Sequence, residues 1–227
     1  MKKTTLVVLA TMMAPMLASA HQAGDFLFRA GTATVRPNAG SDNVLGLGSL
    51  DAKNNTQLGL TFGYMVTDNI GVELLAATPF RHKVTLGGTD LATVHQLPPT
   101  LMAQYYFGDK QDKLRPYLGV GVNYTTFFDE KFNDYGKSAG LSNLDLKDSW
   151  GVAAQAGLDY NLDEHWMLNM SVWWMNIETK TRFNDANGGH HSFDTRLDPW
   201  VFMFGAGYRS DEGRKQGGIA PPCVGII

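Results

Sequence analysis

Two-residue alternation of apolar and polar positions dominates the chain. In QLGLTFGYMV, Leu58, Leu60, Phe62, Tyr64 and Val66 share one face, while Gln57, Gly59, Thr61, Gly63 and Met65 share the other. In SWGVAAQAGLDY the run from Trp150 to Tyr160 alternates in the same way, as does WVFMFGAGYR from Trp200 to Arg209. A period of two is the signature of β-strands with unlike faces. Eight such segments are predicted, near residues 25–36, 55–67, 70–84, 91–107, 114–128, 147–161, 165–180 and 193–209. Their connections alternate in length. VTDNI, GDKQDK and NLDEH are short and polar, whereas 37–54, 129–146 and 181–192 are long, and only the connection around GGTD (87–90) on that side is brief.

A soluble β-sandwich also alternates, but its polar face carries more charge and less glycine. Here one face is apolar and bracketed by aromatics, as in strands that face lipid between two interfacial girdles. Short turns at one end and long loops at the other are the wiring of a transmembrane barrel. The predicted fold is therefore all-β: an eight-stranded antiparallel up-and-down transmembrane β-barrel over residues 21–210, with both ends of the barrel chain in the periplasm.

Composition sharpens this picture without changing it. The 227-residue chain opens MKKTTLVVLATMMAPMLASA, with Lys2 and Lys3, an apolar run from Leu6 to Leu17 and Ala18-Ser19-Ala20. This pattern predicts an export signal over residues 1–20, cleaved before His21. Without Lys2 and Lys3, 17 basic residues stand against 22 acidic ones, a formal charge of 17 − 22 = −5. No basic run marks a nucleic-acid partner. Cys223 is the single cysteine, so a disulfide framework is excluded. After the signal, no apolar stretch reaches the roughly 18 residues of a spanning helix.

With the strands placed, the chain resembles the outer-membrane protein W (OmpW) family of small bacterial barrels. The resemblance is carried by FRAGTATVRP (28–37), NNTQLGLTFGYM (54–65), TDNIGVELLAATPFRHK (67–83), HQLPPTLMAQYYFGD (95–109) and RPYLGVGVNYTTFF (115–128), with DSWGVAAQAGLDY (148–160) and RLDPWVFMFGAGYR (196–209). It implies a barrel in the outer membrane of a Gram-negative bacterium. It also implies the family's proposed role as a channel for small hydrophobic molecules and, for some members, service as a bacteriocin receptor. Barrels of this kind usually finish on an aromatic residue; here Ser210 stands at that position. The segment that follows, 211–227, lacks alternation, contains Gly217-Gly218 and Pro221-Pro222, and is expected to be disordered.

The inward faces bear on function. Strand phase places Leu27, Met65, Leu75, Met102, Met167, Trp173, Met175, Val201 and Met203 inside the barrel. Five of the six methionines after residue 20 fall on that face, and Met170 faces lipid. Methionine adapts to varied apolar shapes, so two uses are open for this set: core filling, or contact with a hydrophobic ligand. Arg29, Glu73, Asp159 and Arg209 also point inward, near the periplasmic end, where two acids and two bases would neutralise each other and close the floor. An apolar vestibule above a sealed floor needs another exit. In HQLPPTLMAQYYFG the strand carries Pro98 and Pro99, and proline gives a ladder no N–H. Folding symmetrically about GGTD sets Pro79 opposite Pro98, a lateral opening between the third and fourth passages; a bulge that bends the strands is the other reading.

The same register sets His82 opposite His95, a weak candidate metal pair with no third ligand in reach. No G-x-S-x-G elbow or HExxH helix is present, so no enzyme activity is expected. His190, His191, Ser192 and Asp194 are read as polar loop residues. No cofactor is implied. The expected partners are outer-membrane lipid and small apolar solutes, with a colicin or phage as the partner in the alternative reading of a structural barrel that serves as a receptor through its external loops.

Overall fold

The computed structural model describes residues 21–38, 40–41, 50–86 and 88–211. The expected signal (1–20) and the expected tail beyond Asp211 lie outside the described residues. In chain order the strands are β1 (Phe26–Arg36), β2 (Gly40–Ser41), β3 (Leu50–Ala52), β4 (Asn55–Met65), β5 (Ile70–Ala77), β6 (Phe80–Leu86), β7 (Thr89–Leu97) and β8 (Thr100–Tyr106). They continue with β9 (Leu114–Phe132), the short helix α1 (Asp134–Ser138), β10 (Ser142–Leu146), β11 (Ser149–Asn161), β12 (Trp166–Met175), β13 (Glu178–Asn184), β14 (His190–Arg196) and β15 (Trp200–Ser210).

Eight of these close a ring in the order β11-β12-β15-β1-β4-β5-β8-β9, and β9 pairs back onto β11. Every neighbouring pair in the ring is antiparallel. Closure leaves no unpaired edge, which is the condition for crossing lipid with strands. The seam between the first and last strands is continuous from Phe26↔Ser210 to Arg36↔Trp200. Gly31 faces Gly205 there, and a Cβ on Gly31 would meet the Phe204 carbonyl oxygen at 2.2 Å. Only glycine allows the backbones to approach this closely.

Alternation sorts the side chains as the sequence predicts. Leu58, Phe62, Val72, Leu74, Leu101, Val120, Val152, Met170, Phe202 and Phe204 are exposed on the outer surface. Such a belt would be an aggregation hazard in water and is at home in hydrocarbon. Aromatic pairs bound it. Phe26–Tyr64, Tyr105–Phe107 and Trp166–Tyr208 lie at the end with short turns, which faces the periplasm, and Tyr124–Trp150 at the other.

The long passages are not single strands. The third, fourth, seventh and eighth each break, at residues 78–79, 98–99, 176–177 and 197–199, and continue outward as β6, β7, β13 and β14. Three of the four breaks contain prolines, Pro79, Pro98-Pro99 and Pro199, so the missing N–H donors end the ladders there. The segments expected to be loops also carry structure. Asn133 caps α1 by accepting from the Gly136 N–H, and β10 joins β13, β14 and β2 in a second sheet. Together with β3, β6, β7 and the outer end of β9, this sheet stands above the barrel as an extracellular extension.

Candidate functional site

The periplasmic floor is a buried polar network. Arg29 lies on β1, and its Nη2 donates to Asp159 Oδ2 at 2.5 Å and to the Tyr106 hydroxyl at 2.8 Å, its Nε to Asp159 Oδ1 at 3.2 Å, and its Nη1 to Glu73 Oε2. The remaining acceptor sites are used as well. Gln104 and Gln155 donate to Glu73 Oε1 at 2.7 and 2.9 Å, and Asn169 donates to Asp159 Oδ1 at 2.7 Å. His21 Nε2 is 2.7 Å from Asp159 Oδ2. A buried ion pair with this many supporting donors leaves little unsatisfied charge.

Arg209 is not part of that cluster. Its Nε lies 3.6 Å from Asp25 Oδ2, and its Nη2 donates to the Glu164 carbonyl. The expected set of two acids neutralising two bases is thus corrected: one arginine bridges Glu73 and Asp159, and the second pairs with Asp25. Arg115, absent from the expectation, closes the rim by donating to the carbonyls of Phe107 and Asp68 at 2.9 Å and of His21 and Asp109 at 3.3 Å. Its position as the first inward residue of β9, just after a short turn, was available from strand phase.

All nine predicted lumen residues point inward, and none is more than 3 % exposed. Leu27, Met65 and Met167 pack with Tyr106 and Tyr117 near the floor. Leu75, Met102, Trp173, Met175 and Val201 pack with Phe80, Val94, Phe127 and Ile177 higher up. Trp173 Nε1 donates to Ser171 Oγ at 3.1 Å, so the indole is satisfied within the barrel. Of the two uses the sequence left open for this set, the geometry favours filling.

The open space lies higher. An apolar cavity sits inside the extracellular extension. Its walls include Leu91, Phe127, Leu144, Phe183, Phe193 and Leu197, with His82 and Gln96 among the polar side chains. None of the nine predicted lumen residues lines it. The signal for it was present in the sequence: Phe132, Leu141, Leu144, Leu146 and Phe183 stand in segments whose polar and glycine-rich surroundings suggested loops.

The proline break adjoins this cavity. Between β5 and β8 the last pair is Leu75↔Thr100, and between β6 and β7 the first is Phe80↔Gln96. Across 76–79 and 97–99 the third and fourth passages have no ladder pair. The other side of the fourth passage stays bonded, with Leu97↔Thr126 and Thr100↔Asn123 on β9 and the Tyr124 N–H donating to the Pro99 carbonyl at 3.0 Å. Side chains satisfy the carbonyls at the break: Thr100 Oγ1 donates to Pro98 O at 3.0 Å, and Asn123 Nδ2 lies 3.4 Å from the Pro98 and Pro99 oxygens. The opening in the backbone ladder is therefore one-sided.

The inferred register is off by one. Phe80↔Gln96 extended by one residue sets Pro79 against Leu97, beside Pro98, rather than against Pro98 itself. The cause is the turn: Leu86 pairs with Thr89, so the hairpin is centred one residue earlier than symmetry about GGTD assumes, which shifts the pairing by two. A bulge, where Val84 pairs with Ala92 and Thr85 with Asp90 so that Leu91 is an extra residue, takes one of these back. The same shift separates the two histidines. His82 pairs with Val94 and points inward, whereas His95 pairs with Arg81, stacks on Phe128 on the outer surface and lies 3.6 Å from Asp129. The candidate metal pair His82–His95 is not assembled. His190 and His191 bond instead to Asn184 and Asp185 in the β13–β14 hairpin.

A closed barrel with a lipid-facing apolar belt, aromatic girdles and a buried polar network at its floor defines an integral protein of the outer membrane of a Gram-negative bacterium. The model of the OmpW family matches residues 22–210, and the chain belongs to that family. It is 62% identical to outer membrane protein W of Salmonella typhimurium over 92% of this chain and 100% of the relative. The crystal structure of OprG from Pseudomonas aeruginosa, 46% identical, superposes with a TM-score of 0.79 over 84% of this chain and 98% of that one. The solution structure of the E. coli outer membrane protein W, 62% identical, gives a TM-score of 0.59 over 84% of this chain and 100% of that one.

Proposed function

We propose that the protein is a passive pathway that takes small apolar molecules from outside the cell into the outer membrane. They enter the apolar cavity of the extracellular extension and leave sideways into the bilayer between the third and fourth passages. The observation that carries this reading is the order of features along the axis: an apolar cavity above, a filled and polar-sealed barrel below, and a one-sided ladder break beside the cavity floor. Gln96 belongs to the cavity wall and lies two residues from Pro98. Axial passage would require a solute to cross the Trp173 layer and the Arg29–Glu73–Asp159 network, whereas the break at Pro79, Pro98 and Pro99 requires only a local parting. No energy coupling, cofactor or catalytic step enters this reading.

The test is uptake of a lipophilic fluorophore by vesicles holding the refolded protein, against a polar control of similar size. Leu144 lines the cavity from β10 and is half-buried, so Leu144→Glu adds a charge to the wall without removing a core residue. An uncompensated carboxylate on an apolar wall is strongly disfavoured, and uptake is expected to fall at least about tenfold. Unchanged uptake in Leu144→Glu would remove the cavity from the path. Equal passage of the polar control would contradict an apolar pathway and leave the receptor reading, in which a bacteriocin or phage binds the external sheet, as the better account.

A further inference from the structure

The cavity is apolar except for a few groups, and one of them is oriented by its neighbours. His82 on β6 is buried, with Nδ1 2.9 Å from the Lys53 carbonyl oxygen. A carbonyl only accepts, so Nδ1 carries the hydrogen. Burial lowers the His82 pKa below the ordinary 6.5, the ring is neutral at pH 7, and Nε2 is a bare acceptor. Gln96 Nε2 lies 3.1 Å from that nitrogen and donates to it. The amide orientation follows: its nitrogen is committed to His82, and its oxygen is directed away. Among the described residues nothing donates to Gln96 Oε1, although the side chain is only 3 % exposed and belongs to the cavity wall. Thr181 and Thr195, the hydroxyls of the lining, bond to each other at 2.8 Å.

An amide oxygen on the wall of an apolar cavity is an acceptor without a protein donor. A wholly apolar occupant strips it of water and returns nothing, whereas an occupant with one donor restores the bond. We propose that the cavity selects molecules with an apolar body and a single O–H or N–H donor, such as phenols and fatty alcohols, whose donor bonds to Gln96 Oε1, over hydrocarbons of the same shape. This rests on the pathway reading above and names the solute class it favours.

The experiment compares three probes of one shape: 2-naphthol, 2-methoxynaphthalene and 2-methylnaphthalene, binding to the full chain in micelles at pH 7, corrected for partition into micelles alone. 2-Naphthol is expected to bind about five- to tenfold more tightly than the other two, the worth of one net hydrogen bond. In Gln96→Met the ratio should fall to about one, with 2-methylnaphthalene binding more tightly than to the unaltered chain because it no longer desolvates an amide oxygen. A measurement on the unaltered chain guards against a misfolded variant: the Gln96 side-chain carbonyl 13C resonance should move with 2-naphthol and stay in place with 2-methylnaphthalene. Equal binding of all three probes, or an unmoved resonance with 2-naphthol bound, overturns the proposal and leaves the apolar pathway standing. Binding of none in a folded barrel overturns the pathway reading, and the proposal with it.

Discussion

Arg29→Met is expected to destabilise the folded barrel by about 3–5 kcal/mol, the cost of leaving buried partners of an ion pair uncompensated. Arg29 is the cation that touches both Glu73 and Asp159, and these carboxylates are fully buried. The glutamines and Asn169 that also serve them supply dipoles rather than charge. The triple variant Arg29→Met, Glu73→Gln, Asp159→Asn removes every charge of that cluster, and most of the lost stability should return, because a neutral hydrogen-bonded floor has no desolvated charge to compensate. Urea unfolding in micelles, followed by tryptophan fluorescence and by gel mobility without heating, measures both. A single variant as stable as the original protein would mean that the floor holds water that solvates the carboxylates, and so is not sealed.

Trp173→Ala should cost about 3–5 kcal/mol, the usual range for deleting a buried aromatic with partial relaxation around it. Trp173 is 1% exposed, packs in the same cluster as Met102 and Met175, and satisfies its N–H on Ser171. Its removal extends the cavity down toward the floor without breaching it. Lipophile binding should persist or rise, and ion conductance across a planar bilayer should stay at the level of the unaltered protein. Conductance that appears in Trp173→Ala alone would show that the indole layer, rather than the Arg29 network, is the barrier to axial passage.

How much of this was legible in the sequence depended on whether local period or long-range register carried the information. Period two placed all eight passages, and it put Arg29, Glu73, Asp159 and the nine lumen residues on the correct face, because a strand's face is fixed by counting. It also located the ladder break, since Pro79, Pro98 and Pro99 lack donors wherever their partners fall. Register was another matter. Symmetry about GGTD centres the hairpin one residue too late, since Leu86 pairs with Thr89, and the bulged Leu91 offsets only part of the shift; the remaining slip of one residue was enough to pair His82 with the wrong neighbour. The cavity was hidden for a different reason. Much of its wall comes from β10, β13, β14 and the outer end of β9, where apolar residues are spaced among Asn, Asp and Gly and show their common face only once the second sheet forms. The role of Gln96 follows from a contact across two strands, which no local pattern encodes.

The central claim is the sideways exit, and replacement of Pro79, Pro98 and Pro99 together by valine tests it most directly. Valine restores three N–H donors to the third and fourth passages and favours extended backbone. With residues 76–79 and 97–99 able to pair, the gap between Leu75↔Thr100 and Phe80↔Gln96 should close while the barrel remains folded. Vesicle uptake of the lipophilic fluorophore should slow at least about tenfold, the effect of adding roughly one to two net hydrogen bonds to the parting, with binding in the cavity retained. Uptake at the original rate in a folded triple variant would contradict the lateral route and place the exit elsewhere.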